Sequence, residues 1–480
     1  METTHFRARS FLRIPQELID YIIDELEEDT VTLRACALTS RCFTRPSQRN
    51  LFHCIKIQPL PPSILDSKDG VVTITSVSES DAGRNNQPRQ SLCERLYALL
   101  QSSPHISSLI RDLRLHDTEL SSDSWLIRDT SLPLVLPLLA NLQRIYVAGS
   151  MSETLLDFGR LPAAVKEALF TAMRSPKVTH IGFQCVQFPT FGELLDAIGM
   201  AGCGGLKSLT LFAVDIPPEF DDLSSDDDDA RKAQAVKRAE EVSKNSSHEN
   251  HQRSHLSSLA LFMGPSLSSQ LSDWILSPDS SYSLEALDKF SLVAEMTHEL
   301  SLAKHVITAS KKPLEEINIT VVEGEEDYDD TLDLSVPQVV YFGLDISSSD
   351  PLSCQSVLDW WCKSLGSSEN NSDNHNLKIF NIFILTELSD ITSFQYSAPG
   401  WKRLDEILYR RNQGTEKQTQ LNVRLKLLDD EDDDEKEDPV APPEVLERLR
   451  DAFPLMKAKE RLDVSQMTES LFSFLGVYWR

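Results

Sequence analysis

The amino-acid sequence predicts an α/β protein: a small three-helix unit at the amino terminus, then a long irregular array of parallel strands with helices between them. Three observations carry this expectation. Residues 14–26 place apolar side chains at three- and four-residue intervals, the period of an amphipathic helix. From residue 110 onward, an apolar residue, another three later and a third two after that recur along the chain. Segments of helical period separate these triplets, and strand followed by helix many times over implies parallel strands. With 480 residues the chain is too long for one compact core, which fits a small domain joined to a large repetitive one.

The first element is Ile14 to Leu26, IPQELIDYIIDEL. Pro15 suits the first turn of a helix, where its missing N–H costs nothing. Leu18, Ile19, Ile22, Ile23 and Leu26 then form one apolar stripe, with Glu17, Asp20 and Asp24 on the watered side. Thr30 is placed to cap a second helix containing Leu33, Cys36 and Ala37, and Pro46 to open a third carrying Leu51 and Phe52. Three such short helices bury only a modest core, so the unit gains stability from a partner that covers its apolar residues.

Residues 14–52 resemble the F-box, whose pattern runs Leu-Pro-x-Glu-Leu, then Ile, then a basic-aromatic cluster and a terminal aromatic. Here the matching residues are Ile14-Pro15-Gln16-Glu17-Leu18, Ile22-Ile23, Leu26, then Leu38-Thr39-Ser40-Arg41-Cys42-Phe43, and Leu51-Phe52. The wording RACALTSRCFTRPSQRNLF is similar to F-box proteins of mushroom-forming fungi. Ile14 stands where leucine is usual, a nearly volume-neutral change. Phe43 stands where tryptophan is usual, which keeps an aromatic anchor without the indole donor. The resemblance implies a face that docks onto a Skp-type adaptor and, through it, onto a cullin–RING ubiquitin ligase. The residues it assigns to that face are Ile14, Pro15, Glu17, Leu18, Ile22, Ile23, Leu26, Leu33, Leu38 and Phe43. Each buried Leu or Ile would contribute roughly 1.5–3 kcal/mol of transfer energy.

A polar stretch at 59–90 reads as a linker between this unit (1–58) and the array (91–455). The triplets are Ile110/Leu113/Leu115, Leu142/Ile145/Val147, Val178/Ile181/Phe183 and Leu206/Leu209/Leu211. They continue with Leu256/Leu259/Leu261, Leu287/Phe290/Leu292, Leu314/Ile317/Ile319 and Leu377/Phe380/Ile382, with Val336/Val339/Tyr341 a looser member. The last two positions of each alternate as a strand requires, so both side chains share a face. Helices are expected at Leu92–Leu100, Ala163–Met173, Phe191–Met200, Leu271–Leu276, Glu299–Ala309, Val357–Leu365, Trp401–Arg411 and Pro443–Phe453, with a strand at Leu421–Leu427. The triplet resembles the core of the leucine-rich repeat, though the ladder position for Asn or Cys is not regularly filled and the spacing varies. An irregular leucine-rich-repeat-like solenoid is therefore expected, with an acidic insertion at 217–254 and a C-terminal cap or tail at 456–480.

Formal net charge is −27, concentrated in acidic runs at Asp221–Asp229, Glu323–Asp330 and Asp429–Asp438. Such a surface repels phosphate, so neither nucleic acid nor anionic membrane is an expected partner. No secretory signal precedes Pro15 and no stretch is apolar enough to span a bilayer, which places the protein in the cytoplasm or nucleus. The cysteines Cys36, Cys42, Cys54, Cys93, Cys185, Cys203, Cys354 and Cys362 include no CxxC pair and read as core thiols.

No phosphate loop, dinucleotide fingerprint or nucleophile elbow is present, and no cofactor is implied. His248, His251 and His255 lie together in a polar insertion that would hold a metal weakly. The run from Asp429 lacks the glycine and the bidentate glutamate of a calcium loop, having Asp434 and Val440 in those places. The expected role is non-catalytic: a substrate adaptor that holds a target protein on its repeat surface. The alternative is a repeat scaffold without any tie to ubiquitin, whose N-terminal helices cap the first repeat.

Overall fold

Apolar residues two apart in an extended chain share one face, and burying that face against helices selects one strand register. A computed structural model shows how this chain does so. It describes residues 14–27, 29–58, 72–74, 91–117, 124–150, 155–198, 205–217, 253–277, 280–294, 297–321, 331–334, 337–345, 351–366, 377–387, 399–412, 419–428 and 440–467. They form an α/β fold on parallel strands, in two compact units, Met1–Val178 and Thr179–Arg480. That boundary falls within the segment 91–455. The 59–90 stretch apart from 72–74, the acidic insertion between 218 and 252, the run 429–438 and the tail beyond 467 lie outside the described residues.

Unit 1 begins with three helices, α1 (Gln16–Asp24), α2 (Thr30–Thr39) and α3 (Arg41–Leu51). Strands β1 (Cys54–Ile57), β2 (Val72–Ile74), β3 (Asp112–His116) and β4 (Arg144–Ala148) then pair in parallel in the order β2-β1-β3-β4. Ile55, Leu113 and Ile145 stand in one register row, and Ile57, Leu115 and Val147 in the next. All six are buried. Strand β1 was not among the expected strands, although Phe52, Ile55 and Ile57 repeat the triplet spacing. Helix α4 (Leu92–Ser102) opens on a reciprocal cap: Glu94 N–H donates to Ser91 Oγ at 3.0 Å, and Ser91 N–H donates to the Glu94 carboxylate at 2.9 Å. Helix α5 (Ala163–Met173) closes the unit, with Val165, Leu169 and Met173 inward.

Two details of the N-terminal helices differ from the expectation. Asp29, not Thr30, caps α2, its carboxylate accepting from Thr32 N–H at 2.9 Å. Pro46 does not open α3 but lies inside it. A proline there cannot donate to the carbonyl four residues back, which belongs to Cys42. That carbonyl accepts instead from Gln16 Nε2 at 2.9 Å, so the break in one helix becomes a tie to another.

Unit 2 carries β5 (His180–Gln187), β6 (Ser208–Asp215), β7 (Ser258–Met263), β8 (Lys289–Ala294) and β9 (Glu316–Val321). It continues with β10 (Val339–Asp345), β11 (Ile379–Glu387), β12 (Gln420–Leu428) and β13 (Leu462–Gln466). Each pairs in parallel with the next in chain order. Helices α6 (Phe191–Ile198), α7 (Pro265–Leu276), α8 (Thr297–Ala309), α9 (Pro351–Gly366), α10 (Pro399–Arg411), α11 (Pro443–Asp451) and α12 (Pro454–Ala458) make connections between them.

Ile181, Leu209, Leu259, Phe290, Ile317, Val340, Phe380 and Leu421 form one continuous register row, all at most 1% exposed. Phe183, Leu211, Leu261, Leu292, Ile319, Phe342, Ile382 and Val423 form the row beside it. The looser triplet needs correction by one residue: Val340 and Phe342 point into the core, not Val339 and Tyr341. Tyr341 lies on the other face and stacks on Phe383 at 5.8 Å, while Val336 is outside the described residues.

Trp361 of α9 packs on Phe342 and Phe380, with ring centroids 3.8 and 6.0 Å apart, and Trp360 is buried beside it. Asp405 of α10 is buried and accepts from Leu455 N–H at 2.8 Å and Met456 N–H at 3.0 Å. It thereby satisfies the exposed start of α12, and burial raises its pKa above the usual carboxylate range.

Gly343 pairs with Thr320 across β9 and β10, and a Cβ there would overlap the Thr320 side chain. Gly343→Ala is expected to destabilise unit 2 by about 1–3 kcal/mol. Thermal melts check this, and adding Thr320→Ala should recover part of the loss.

Candidate protein-docking surface

At about 100° per residue, the apolar positions of α1 fall into two adjacent stripes instead of one. Ile19 and Ile23 turn inward, where they meet Leu33 of α2 and Leu51 of α3 in a closed cluster. Leu26, Cys36, Cys42, Phe43 and Phe52 pack around that cluster and remain partly exposed. Leu18 and Ile22, about 40° from each other around the helix, turn outward and are each 55% exposed.

The site residues expected from the sequence therefore divide. Ile14, Pro15, Glu17, Leu18, Ile22 and Leu38 are exposed, Leu38 at 90%. Leu26 and Phe43 border the cluster, whereas Ile23 and Leu33 lie inside it and present no surface to a partner. Tyr21 and Val31 are also exposed and were missed. Tyr21 precedes Ile22 on the outward side of α1, and Val31 is seven residues before Leu38, two turns along one face of α2.

Polar ties hold this face in place. Arg49 of α3 donates to Asp24 of α1 at 2.6 and 2.8 Å, and Asn50 donates to the Ile23 carbonyl and to Asp24, each at 3.1 Å. Burial pushes the Asp24 pKa up, but the bonds from Arg49 and Asn50 outweigh it and hold the carboxyl below its usual range. A carboxyl lowered on folding adds stability above its unfolded pKa and loses it as acid protonates it. Both partners of the ion pair are nearly half exposed, so its contribution is small and the hydrogen bonds mainly fix geometry. On the far side, Thr44 Oγ1 donates to the Ala37 carbonyl at 2.9 Å and links α3 to α2.

Chain geometry also joins these helices to the sheet. Helix α3 passes through Phe52 and His53 directly into β1, and the His53 carbonyl accepts from Arg111 and Asp112 N–H, both at 3.0 Å. The exposed apolar residues thus sit on a unit anchored at one end.

Other chemistries find less support among the described residues. No group of three His, Cys, Asp or Glu is placed to hold a metal ion, and His255 is the only member of its histidine cluster described. Burial pushes the Cys54 and Cys362 thiols up to about 12 and Cys185 to about 11, and it raises Cys93 as well. These four stay protonated at neutral pH and are poor nucleophiles. No described helix is long and apolar enough to cross a membrane. Neither the models of known protein families nor the curated proteins match this chain.

The two stripes of α1 have opposite consequences when mutated. Leu33→Ala, in the cluster, is expected to cost about 2–5 kcal/mol, read as faster amide exchange across residues 16–51. Ile22→Asp, on the outward stripe, should change stability by no more than about 0.5 kcal/mol in the same measurement.

Proposed function

We propose that this chain is an F-box-type substrate adaptor: the outward stripe of α1 binds a Skp-type adaptor of a cullin–RING ubiquitin ligase, and a leucine-rich-repeat-like array holds the target. The single observation that carries the reading is the exposure of Ile14, Leu18 and Ile22 beside a cluster already closed by Ile19, Ile23, Leu33 and Leu51. These outward residues are not needed to complete the core, and apolar side chains grouped on one face mark an interaction surface. The likeness of residues 14–52 to the F-box supplies the partner. The regular succession of parallel strands, each with two triplet residues under its helices, supports the repeat reading. On this view the protein does no bond chemistry; it raises the effective concentration of target lysines near a ubiquitin-charged enzyme.

Burial of Leu18 and Ile22, each half exposed now, would contribute roughly 1 kcal/mol apiece from transfer alone, and more where they fill pockets. Capture of a purified Skp-type adaptor by the full chain tests this. Leu18→Asp or Ile22→Asp is expected to weaken capture roughly tenfold or more, and the double variant to abolish it. Undiminished capture by the double variant would sink the assignment.

A second reading is favoured by one observation, the uninterrupted passage from α3 into β1. That continuity suits helices that merely cap the sheet of a protein-binding scaffold. A deletion that separates the two readings must stop before β1, because Ile55 pairs with Leu113. Removing residues 1–50 should melt unit 1 if the helices are a cap, and leave β1, β3 and β4 protected from exchange if they are a docking module.

A further inference from the structure

Strand alternation gives the sheet of unit 2 a second face, turned away from the buried triplets. On it Phe212 of β6 pairs with Phe262 of β7, and Val293 of β8, Thr320 of β9, Gly343 of β10 and Phe383 of β11 stand in register with one another. The neighbouring row is Ser291, Asn318, Tyr341, Asn381 and Asn422, polar except for Tyr341. The apolar surface is therefore a narrow band that runs across the strands.

That band is buried. Phe212, Val293 and Phe383 are 3, 7 and 8% exposed and belong to one cluster. Strand neighbours lie beside a side chain, about 4.8 Å away, and leave its tip open to water. Burial this deep calls for a segment that lies over the tips. Among the described residues packed on the cluster, Ala213, Phe262 and Tyr341 belong to the strands themselves, whereas Met467 comes from beyond the last strand. Met467 N–H donates to the Leu425 carbonyl at 2.8 Å, so the chain is still held to the sheet where it leaves β13.

The sequence that follows, residues 468–480, suits the band in composition and in reach. From Leu471 to Trp479 it carries no charge and includes Phe472, Phe474, Leu475 and Tyr478. Seven strand steps separate β13 from β6. They amount to about 34 Å at the usual strand spacing, and an extended segment of this length spans about 43 Å. The end of the array is already occupied, since Arg450 of α11 donates to the Val464 carbonyl of β13 at 3.0 Å.

We propose that residues 468–480 fold back across this face and cover the band from Phe383 to Phe212, making it a docking site for the chain's own C-terminal segment. Another apolar ligand then reaches the band only by displacing that segment. The inference stands on the burial of the band and on Met467, and it does not rest on the adaptor reading.

Photocrosslinking on the full chain tests it, with p-benzoylphenylalanine in place of Phe472 in one sample and of Tyr478 in another, and the products mapped by mass spectrometry. Crosslinks within one chain are expected, from Phe472 to β9–β11 and from the more distant Tyr478 to β6–β8. Phe262→Asp with Tyr341→Asp, at partly exposed positions of the face, should cut the yield roughly fivefold or more. Phe474→Asp with Leu475→Asp should do the same, and because these two lie beyond β13 the triplet rows should keep their protection from amide exchange. Products only between two chains, crosslinks confined to α11 and α12, no product from either position, or yields unchanged by both variant pairs would overturn the proposal. Capture of a Skp-type adaptor is read on α1, in unit 1, and should be the same for every variant, so the two readings fail separately.

Discussion

A parallel strand is not handed its neighbour by a hairpin; it must leave the sheet, return through a crossover and find its register again. In this chain the register is found by burying two side chains, two residues apart, in line with those of the strand before. In unit 2 the row from Ile181 to Leu421 does this over eight strands without a gap. A slip of one residue in any strand would turn its pair of core residues onto the opposite face. The helices then have one surface to cover, and the aromatic contacts of Trp361 with Phe342 and Phe380 show how closely α9 covers it.

The same requirement shapes the amino-terminal helices. Because β1 takes its place beside β3, the end of α3 is fixed, and α1 and α2 must pack against a helix that cannot move to suit them. The closed cluster they build is small: Ile19, Ile23, Leu33 and Leu51. Pro46, which would be a defect in an isolated helix, is tolerated because the carbonyl it leaves unpaired is taken by Gln16. With the inner stripe of α1 committed and its orientation tied by Gln16, Arg49 and Asn50, the outer stripe has nowhere to turn but outward.

Much of this was legible in the sequence, because periodicity reports which side chains share a face. All eight well-formed triplets are buried as their spacing requires, and the helices at Ala163–Met173 and Glu299–Ala309 end where the pattern ends. The failures have identifiable causes. Val339 and Tyr341 have the right chemistry and nearly the right spacing, so pattern alone could not tell them from Val340 and Phe342; only pairing with Ile317 and Ile319 decides. Strand β1 was hidden because Phe52 also closes a helical motif, although Ile55 and Ile57 continue the triplet. Within the candidate site, Leu18, Ile19, Ile22, Ile23 and Leu26 looked like one stripe, since a helical wheel shows the width of an apolar surface and not how much of it the rest of the chain can cover. The S-x-x-E signature at Ser91–Glu94 was a signal available in the sequence that marks where α4 starts.

Because the triplets fix the helix-facing side of each sheet, the residues between them are released from that duty, and the two units have filled those positions differently. In unit 1 they are Lys56, Asp112, Arg114, Arg144 and Tyr146, a charged face organised around one ion pair. In unit 2 they include Phe212, Phe262, Val293, Tyr341 and Phe383, an apolar cluster in which Phe212 and Phe262 meet edge to face at 5.0 Å. Beside it, Asn422 donates to Asn381 at 2.8 Å. A fold that needed only sheet stability would gain nothing from burying Arg114 beside Asp112, since a well-packed apolar pair is often as stable as a buried ion pair. Alternate residues along each strand thus keep the register, and those between are free to differ in chemistry from one unit to the other.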